Sequence, residues 1–155
     1  MPLVGYFLDS NLLVLLVVGS VDVAIIPRHR RLQDYTAVDF ETLRAILDLG
    51  RRIFVTPNTL TEASNLLRQH GEPERSRLMA QLRYLIGQTE EIVITSARAS
   101  TNPEFQRLGL TDAALLETVS EETPLITVDL NLYLAALAKG EDMAVDFREF
   151  MDRPL

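Results

Sequence analysis

The chain has 155 residues, 47% of them hydrophobic and 24% charged, and its 15 basic against 22 acidic side chains give a net charge of −7. That length suits one domain able to bury roughly two-thirds of the surface its unfolded form exposes, and the composition excludes intrinsic disorder. Cysteine is absent, which excludes a disulfide framework and thiolate zinc sites, fits a reducing cytoplasm, and leaves oxygen or imidazole to hold any metal.

Leu3 to Leu8 is a short apolar and aromatic run, the pattern of a buried strand, and it delivers Asp9 at its carboxyl end. A first helix begins near Asn11, and its core from Leu12 to Val18 is the most apolar stretch of the chain. This stretch is much shorter than the ~20 residues that cross a bilayer, and no basic leader precedes it, so it reads as a buried helix with no membrane role. Gly19 and Ser20 are expected to end it, with Val21 to Ile26 an extension or a short strand before Pro27 and the basic cluster Arg28, His29, Arg30, Arg31. Asp39 is expected to cap a helix that runs to Gly50, with Phe40, Leu43, Ile46 and Leu47 at helical spacing.

Ile53 to Val55 forms a second strand that Pro57 stops, and Thr59 opens a helix to about Gln69. Glu74 to Ile86 is a further helix with Leu78, Leu82, Leu85 and Ile86 toward the core, followed by a strand at Ile92 to Thr95. Beyond Asn102 and Pro103 come a helix from Thr111 to Glu122, a strand from Leu125 to Val128, a helix from Leu130 to Lys139 and an edge strand from Met143 to Val145. The alternation predicts an α/β fold, a central mostly parallel sheet flanked by helices. No repeat or linker divides the chain, so residues 1–155 read as a single domain.

Four acids fall where strands end or helices begin: Asp9, Glu62, Asp112 and Asp129. In open parallel sheets ligands bind beyond the carboxyl ends of the strands, so these side chains can share one crevice. Carboxylates gathered there repel, since two unit charges at 4 Å cost about 4 kcal/mol at an effective dielectric of 20, and a hard dication such as Mg2+ or Mn2+ relieves that cost. Each acid also has a plainer reading. Thr59-Leu-Thr-Glu62 fits a capping box, Asp112 suits the positive end of a helix after a Thr111 cap, and Asp9 and Asp129 suit N-caps. Caps draw on Ser, Thr, Asn and Asp alike, so the recurrence of acids at these exits favours a shared site.

The segments FLDSNLLVLL, TPNTLTEASNLL, LGLTDAALLETV and PLITVDLNL resemble, in order, the successive blocks of the PIN-domain ribonucleases, a fold common among the toxins of toxin–antitoxin modules. The resemblance covers most of the chain and implies a three-layer PIN-like fold. It implies Asp9, Glu62, Asp112 and Asp129 as catalytic metal ligands for Mg2+ or Mn2+, with Asn11, Ser10 and Thr127 steadying them. The activity implied is hydrolysis of RNA by a metal-activated water, in a cytoplasmic protein. An antitoxin covering the crevice and a homodimer, through helix faces near Leu78 to Ile86, are the partners it suggests. The stretch 20–38 reads as an insertion relative to compact members, and Asn131 stands where some members carry a further acid. Cleavage of single-stranded or flap DNA, and a degenerate scaffold without catalysis, remain alternatives.

Arg28, Arg30, Arg31, Arg51 and Arg52 are candidates for guiding a phosphate backbone, against a plain solvated face. His29 and His70, in a basic loop and at a helix end, read as surface residues rather than metal ligands. Other classes fit less well. A haloacid-dehalogenase-type phosphatase wants an acid where Asn11 stands, a receiver domain wants an acidic pair and a late lysine, and a dinucleotide-binding domain wants glycines where Asp9-Ser-Asn-Leu stands.

Overall fold

The computed structural model describes residues 2–48 and 52–151. Strands β1 (Gly5–Leu8), β2 (Arg52–Val55), β3 (Glu90–Glu91), β4 (Leu125–Thr127) and β5 (Ala144–Asp146) form one sheet in the order β3-β2-β1-β4-β5. Every neighbouring pair is parallel, so the sheet needs cover on both faces. Alternation along the strands divides the core accordingly. Phe7, Phe54 and Leu125 point into a smaller cluster with Leu115, Leu116, Val119 and Leu132, while Leu8, Val55 and Ile126 point into the larger one. Phe7 pairs in register with Phe54, and their rings pack at a centroid distance of 5.5 Å.

Helices α1 (Ser10–Val21), α2 (Ala37–Leu47), α3 (Pro57–Leu67) and α4 (Glu74–Gln88) cover the larger cluster. Two short helices, α5 (Ser96–Ala99) and α6 (Phe105–Leu108), lead into α7 (Leu110–Thr118), which covers the other face together with α8 (Leu130–Leu137). The fold is therefore α/β, a parallel sheet between helical layers. Among the described residues no helix is long and apolar enough to cross a membrane.

Several boundaries differ from expectation, each for a local reason. Gly19 does not stop α1, which runs to Val21 and ends at Asp22. A Cβ at Gly19 would lie 2.1 Å from the Phe40 ring, so its role is to let α2 approach. Val23–Arg28 is a 3-10 helix, neither a strand nor an extension, with Ile25 and Ile26 fully buried. Thr36, not Asp39, caps α2. Asp39 is the reciprocal acid of that capping box and accepts from the Thr36 amide at 2.8 Å. The helix ends at Leu47, and Gly50 and Arg51 lie outside the described residues.

Thr56 caps α3 by accepting from the Thr59 amide at 3.1 Å, and Pro57 occupies the first turn. The capping-box reading of Glu62 thus fails, because Thr59 lies inside the helix. On α4, Leu78, Leu82 and Leu85 are committed to the chain's own core, but Ile86 is 40% exposed. β3 spans only Glu90–Glu91 rather than Ile92 to Thr95, and Val93 is exposed. α7 begins after Gly109 rather than at a Thr111 cap and stops at Thr118, where Val119 turns extended and Ser120 and Thr123 close a reciprocal backbone turn.

Candidate active site

The strand order reverses between β1 and β4, the place where an open parallel sheet leaves a crevice beyond the carboxyl ends of its strands. A pocket of about 320 Å³ at that point is lined by Asp9, Glu62, Asp112 and Asp129, together with Ser10 and Asn11. Residues from four separate elements therefore meet. Asp9 follows β1, Asp129 follows the β4 exit, Glu62 projects from α3 and Asp112 from the first turn of α7.

The four carboxylates are held differently. Asp9 is buried: one oxygen caps α1 by accepting from the Leu12 amide at 2.9 Å, and the other accepts from the Val128 amide at 3.0 Å and from the Thr127 hydroxyl. Burial raises its pKa, and those hydrogen bonds oppose the shift. The Thr127 oxygen in turn accepts from the Asp129 amide at 3.0 Å, which joins the two aspartates through one side chain. Asp129 is exposed and caps α8 through the Leu132 amide at 3.1 Å. Both N-cap readings are thus borne out as geometry, with the carboxylates still lining the pocket.

Asp112 and Glu62 are a different case. Neither carboxylate takes part in a hydrogen bond or ion pair among the described residues, and α7 has no side-chain cap. Asp112 is half-buried, and its pKa is pushed up to about 7, first by burial and then by the charges of Asp129, Glu62 and Asp9. A carboxylate so placed is destabilised by its surroundings and has no cationic partner among the described residues. Among the described residues no three acidic or imidazole side chains stand close enough together to chelate one ion unaided. A hydrated dication asks less: magnesium is commonly held by one or two carboxylates and keeps several waters. The all-oxygen donor set fits such an ion.

The flanking candidates separate into two groups. Arg30 and Arg31 line a depression that shares Asn11 with the acidic pocket. Arg28 instead forms a bidentate pair with Glu74 at 2.7 and 2.6 Å, and Arg52, at the amino end of β2 and so at the far edge of the sheet, pairs with Glu90 at 2.6 Å. Arg51 lies outside the described residues.

Three features escaped the sequence reading. Gly109 adopts φ 92° and ψ 176°, a region open essentially to glycine alone, at the turn that aims Asp112 into the pocket. The signal available was the glycine just ahead of Leu110-Thr111-Asp112. Arg148, clamped by Asp146 at 2.6 and 2.9 Å, lies near enough to Asp129 for that charge to raise its pKa further. His29 is not a surface residue. Its ring is fully buried and stacks on His70 with centroids 5.2 Å apart, while Nδ1 accepts from the Arg31 amide at 3.1 Å. His70 meets Glu74 at 2.7 Å, so His29, His70, Glu74 and Arg28 together fasten the segment after α1 to the α3–α4 corner.

Compared with known proteins, the sequence matches no family model and no curated protein.

Proposed function

We propose that this protein is a divalent-metal-dependent nuclease that hydrolyses phosphodiester bonds in RNA, as its resemblance to the PIN-domain ribonucleases implies. The observation that carries the reading is the convergence of Asp9, Glu62, Asp112 and Asp129 on one pocket at the point where the strand order reverses. Asp112 and Glu62 would hold the ion, with the remaining lone pairs of Asp9 and Asp129 behind them. When bound, Mg2+ or Mn2+ supplies an acidified water and a positive charge for the leaving oxygen.

The chain's own residues set the stage for that chemistry. Thr127 and the Val128 amide fix the orientation of the Asp9 carboxyl group at the edge of the pocket. Gly109 sets the direction in which α7 presents Asp112. Arg148, already paired with Asp146, can face a phosphate from the Asp129 side without leaving its own charge unbalanced.

Calorimetry with Mn2+ and turnover of a labelled RNA test the reading together. The parent is expected to bind the ion and cut the strand, and Asp112→Asn is expected to lose about a hundredfold or more in turnover. Equal turnover by Asp112→Asn at matched purity would refute the assignment. A second reading is a PIN-like scaffold that binds proteins without catalysis. That reading requires the parent to show neither Mn2+ binding nor RNA turnover.

A further inference from the structure

The acidic pocket opens into a longer groove. Through Glu62 it adjoins a depression that includes Asn58, Thr61 and Asn65, and through Thr61 that depression adjoins another over Leu60, Leu82 and Ile86. Met79 and Arg83 carry the groove on into a cavity of about 510 Å³ along α4, lined also by Arg68 at the α3 C-cap, Arg75, Glu72 and Ser76. On the opposite side, Asn11 leads to the depression holding Arg30 and Arg31.

Helix geometry explains the continuity. On α3, Asn58, Thr61, Glu62 and Asn65 recur at three- and four-residue spacing and Arg68 follows at the C-cap, a stripe about 15 Å long at 1.5 Å per residue. On α4, Arg75, Met79 and Arg83 form an i, i+4, i+8 row that lines one cavity with Arg68.

The charges along this path are distinctive in their pairing. Arg28, Arg44, Arg52, Arg98, Arg107 and Arg148 all have carboxylate partners within 4 Å. Among the described residues Arg30, Arg31, Arg68, Arg75 and Arg83 on this path have none, and Arg77 is the one arginine off the path that shares that state, although acidic residues outnumber basic ones in the chain. Glu72, the carboxylate in the cavity along α4, is engaged by the Ser76 amide and hydroxyl at 2.7 and 2.6 Å.

We propose that this groove is a track for a single-stranded polynucleotide, with phosphates held by Arg30 and Arg31 at one end and by Arg68, Arg75 and Arg83 at the other. The bond between them then crosses Asp9, Glu62, Asp112 and Asp129, so the inference rests on the nuclease reading and extends it. A polynucleotide suits the path because its charge repeats along its length and its flat bases can lie on the apolar stretch at Leu60, Met79 and Ile86. A single strand suits it better than a duplex because only unpaired bases are free to lie on that apolar stretch.

Fluorescence anisotropy with a labelled 20-nucleotide single-stranded RNA tests this, with single-stranded DNA, duplex RNA and polyglutamate as competitors. Arg68→Gln/Arg75→Gln/Arg83→Gln is compared with Arg44→Gln/Arg98→Gln/Arg107→Gln, which removes the same charge elsewhere, and Arg83→Gln alone serves as a milder variant. The track variant should weaken RNA binding about tenfold or more and reduce the salt slope by about 2, at ~0.7 per phosphate contact, while the control stays within about twofold. Arg83→Gln alone should reduce the slope by roughly 0.7. This pattern with cutting by the parent supports both track and nuclease. The same pattern without any cutting supports the track and removes the nuclease reading. Equal weakening by both triple variants, no binding by the parent, or tighter binding of duplex or polyglutamate overturns the track and leaves the Asp112→Asn test standing by itself. Binding of single-stranded DNA as tight as RNA supports a track that reads the backbone without the 2′-hydroxyl.

Discussion

Acidification should weaken this protein through one buried ring. His29 is fully enclosed, and its pKa is pushed down from 6.5 to about 4 by burial, then by His70, Arg31 and Arg30. The facing groups are therefore His70 from the α3 end, itself bonded to Glu74 of α4, and two arginines of the same loop. Above pH 6.5 neither folded nor unfolded chain carries the proton, and the His29 contribution to stability is complete. Between 6.5 and about 4 the unfolded chain takes up a proton that the folded one refuses, so stability drains away; below 4 both carry it and the loss stops. A depression from 6.5 to about 4, at 1.36 kcal/mol per pH unit, amounts to about 3 kcal/mol. Several carboxylates titrate in the same window, so the quantity to follow is the difference between the parent and His29→Phe, which keeps a ring and removes the proton site. Urea unfolding from pH 7.5 to 4 should show the parent losing about 3 kcal/mol relative to the variant. A difference that stays flat across this range, or grows in the parent's favour on acidification, would refute the reasoning.

Two glycines give further tests. Gly19→Ala drives a methyl into the Phe40 ring, 2.1 Å from the site a Cβ would take, and should cost about 1–3 kcal/mol of packing against at most about 1 kcal/mol of helix gain. Thermal unfolding should show a fall of about 2–4 °C per kcal/mol, and an unchanged midpoint would mean that α2 can simply move away. Gly109→Ala forces a Cβ into φ 92° and should cost about 1–3 kcal/mol. Because that turn aims Asp112, Mn2+ affinity should fall with it, and full stability with full affinity would show that the backbone relaxes freely.

What the sequence disclosed and what it hid follow from the range of the interactions involved. Asp9, Asp112 and Asp129 were legible because short apolar runs, acids and helix starts are local patterns, and the parallel sheet then places strand exits together. The α3 boundary was half legible. Thr56 and Thr59 are both plausible caps three residues apart, and Pro57, favoured in a first turn, was the signal that chooses Thr56. Gly19 misled because a glycine near a helix end has two meanings, and the one that applies depends on Phe40 in another helix. The burial of His29 was invisible for the same reason, since its partner His70 arrives only when the α3–α4 corner folds against the loop. The edge strand drifted from Ile92–Thr95 to Glu90–Glu91 because Val55 fixes the pairing register there, whatever the apolarity of the residues that follow.

The net charge of −7 at first argues against a nucleic-acid enzyme, but a sum over the chain treats every charge as equally visible. An ion pair closed at 2.6 Å, such as Arg28 with Glu74, is nearly neutral beyond a Debye length of about 10 Å, so it contributes little to the field a distant strand meets. The field over the groove is instead set by side chains outside such pairs: Arg30, Arg31, Arg68, Arg75 and Arg83 toward its ends, with Asp34 and Glu72 beside them, and Glu62, Asp112 and Asp129 between. Those middle carboxylates repel a polyanion until a dication neutralises them, whereas the outer arginines attract it throughout. On this account, removing the cation should weaken binding at the centre of the strand while leaving its flanks engaged. The sign of the whole chain's charge then has little to do with whether a phosphate backbone can bind.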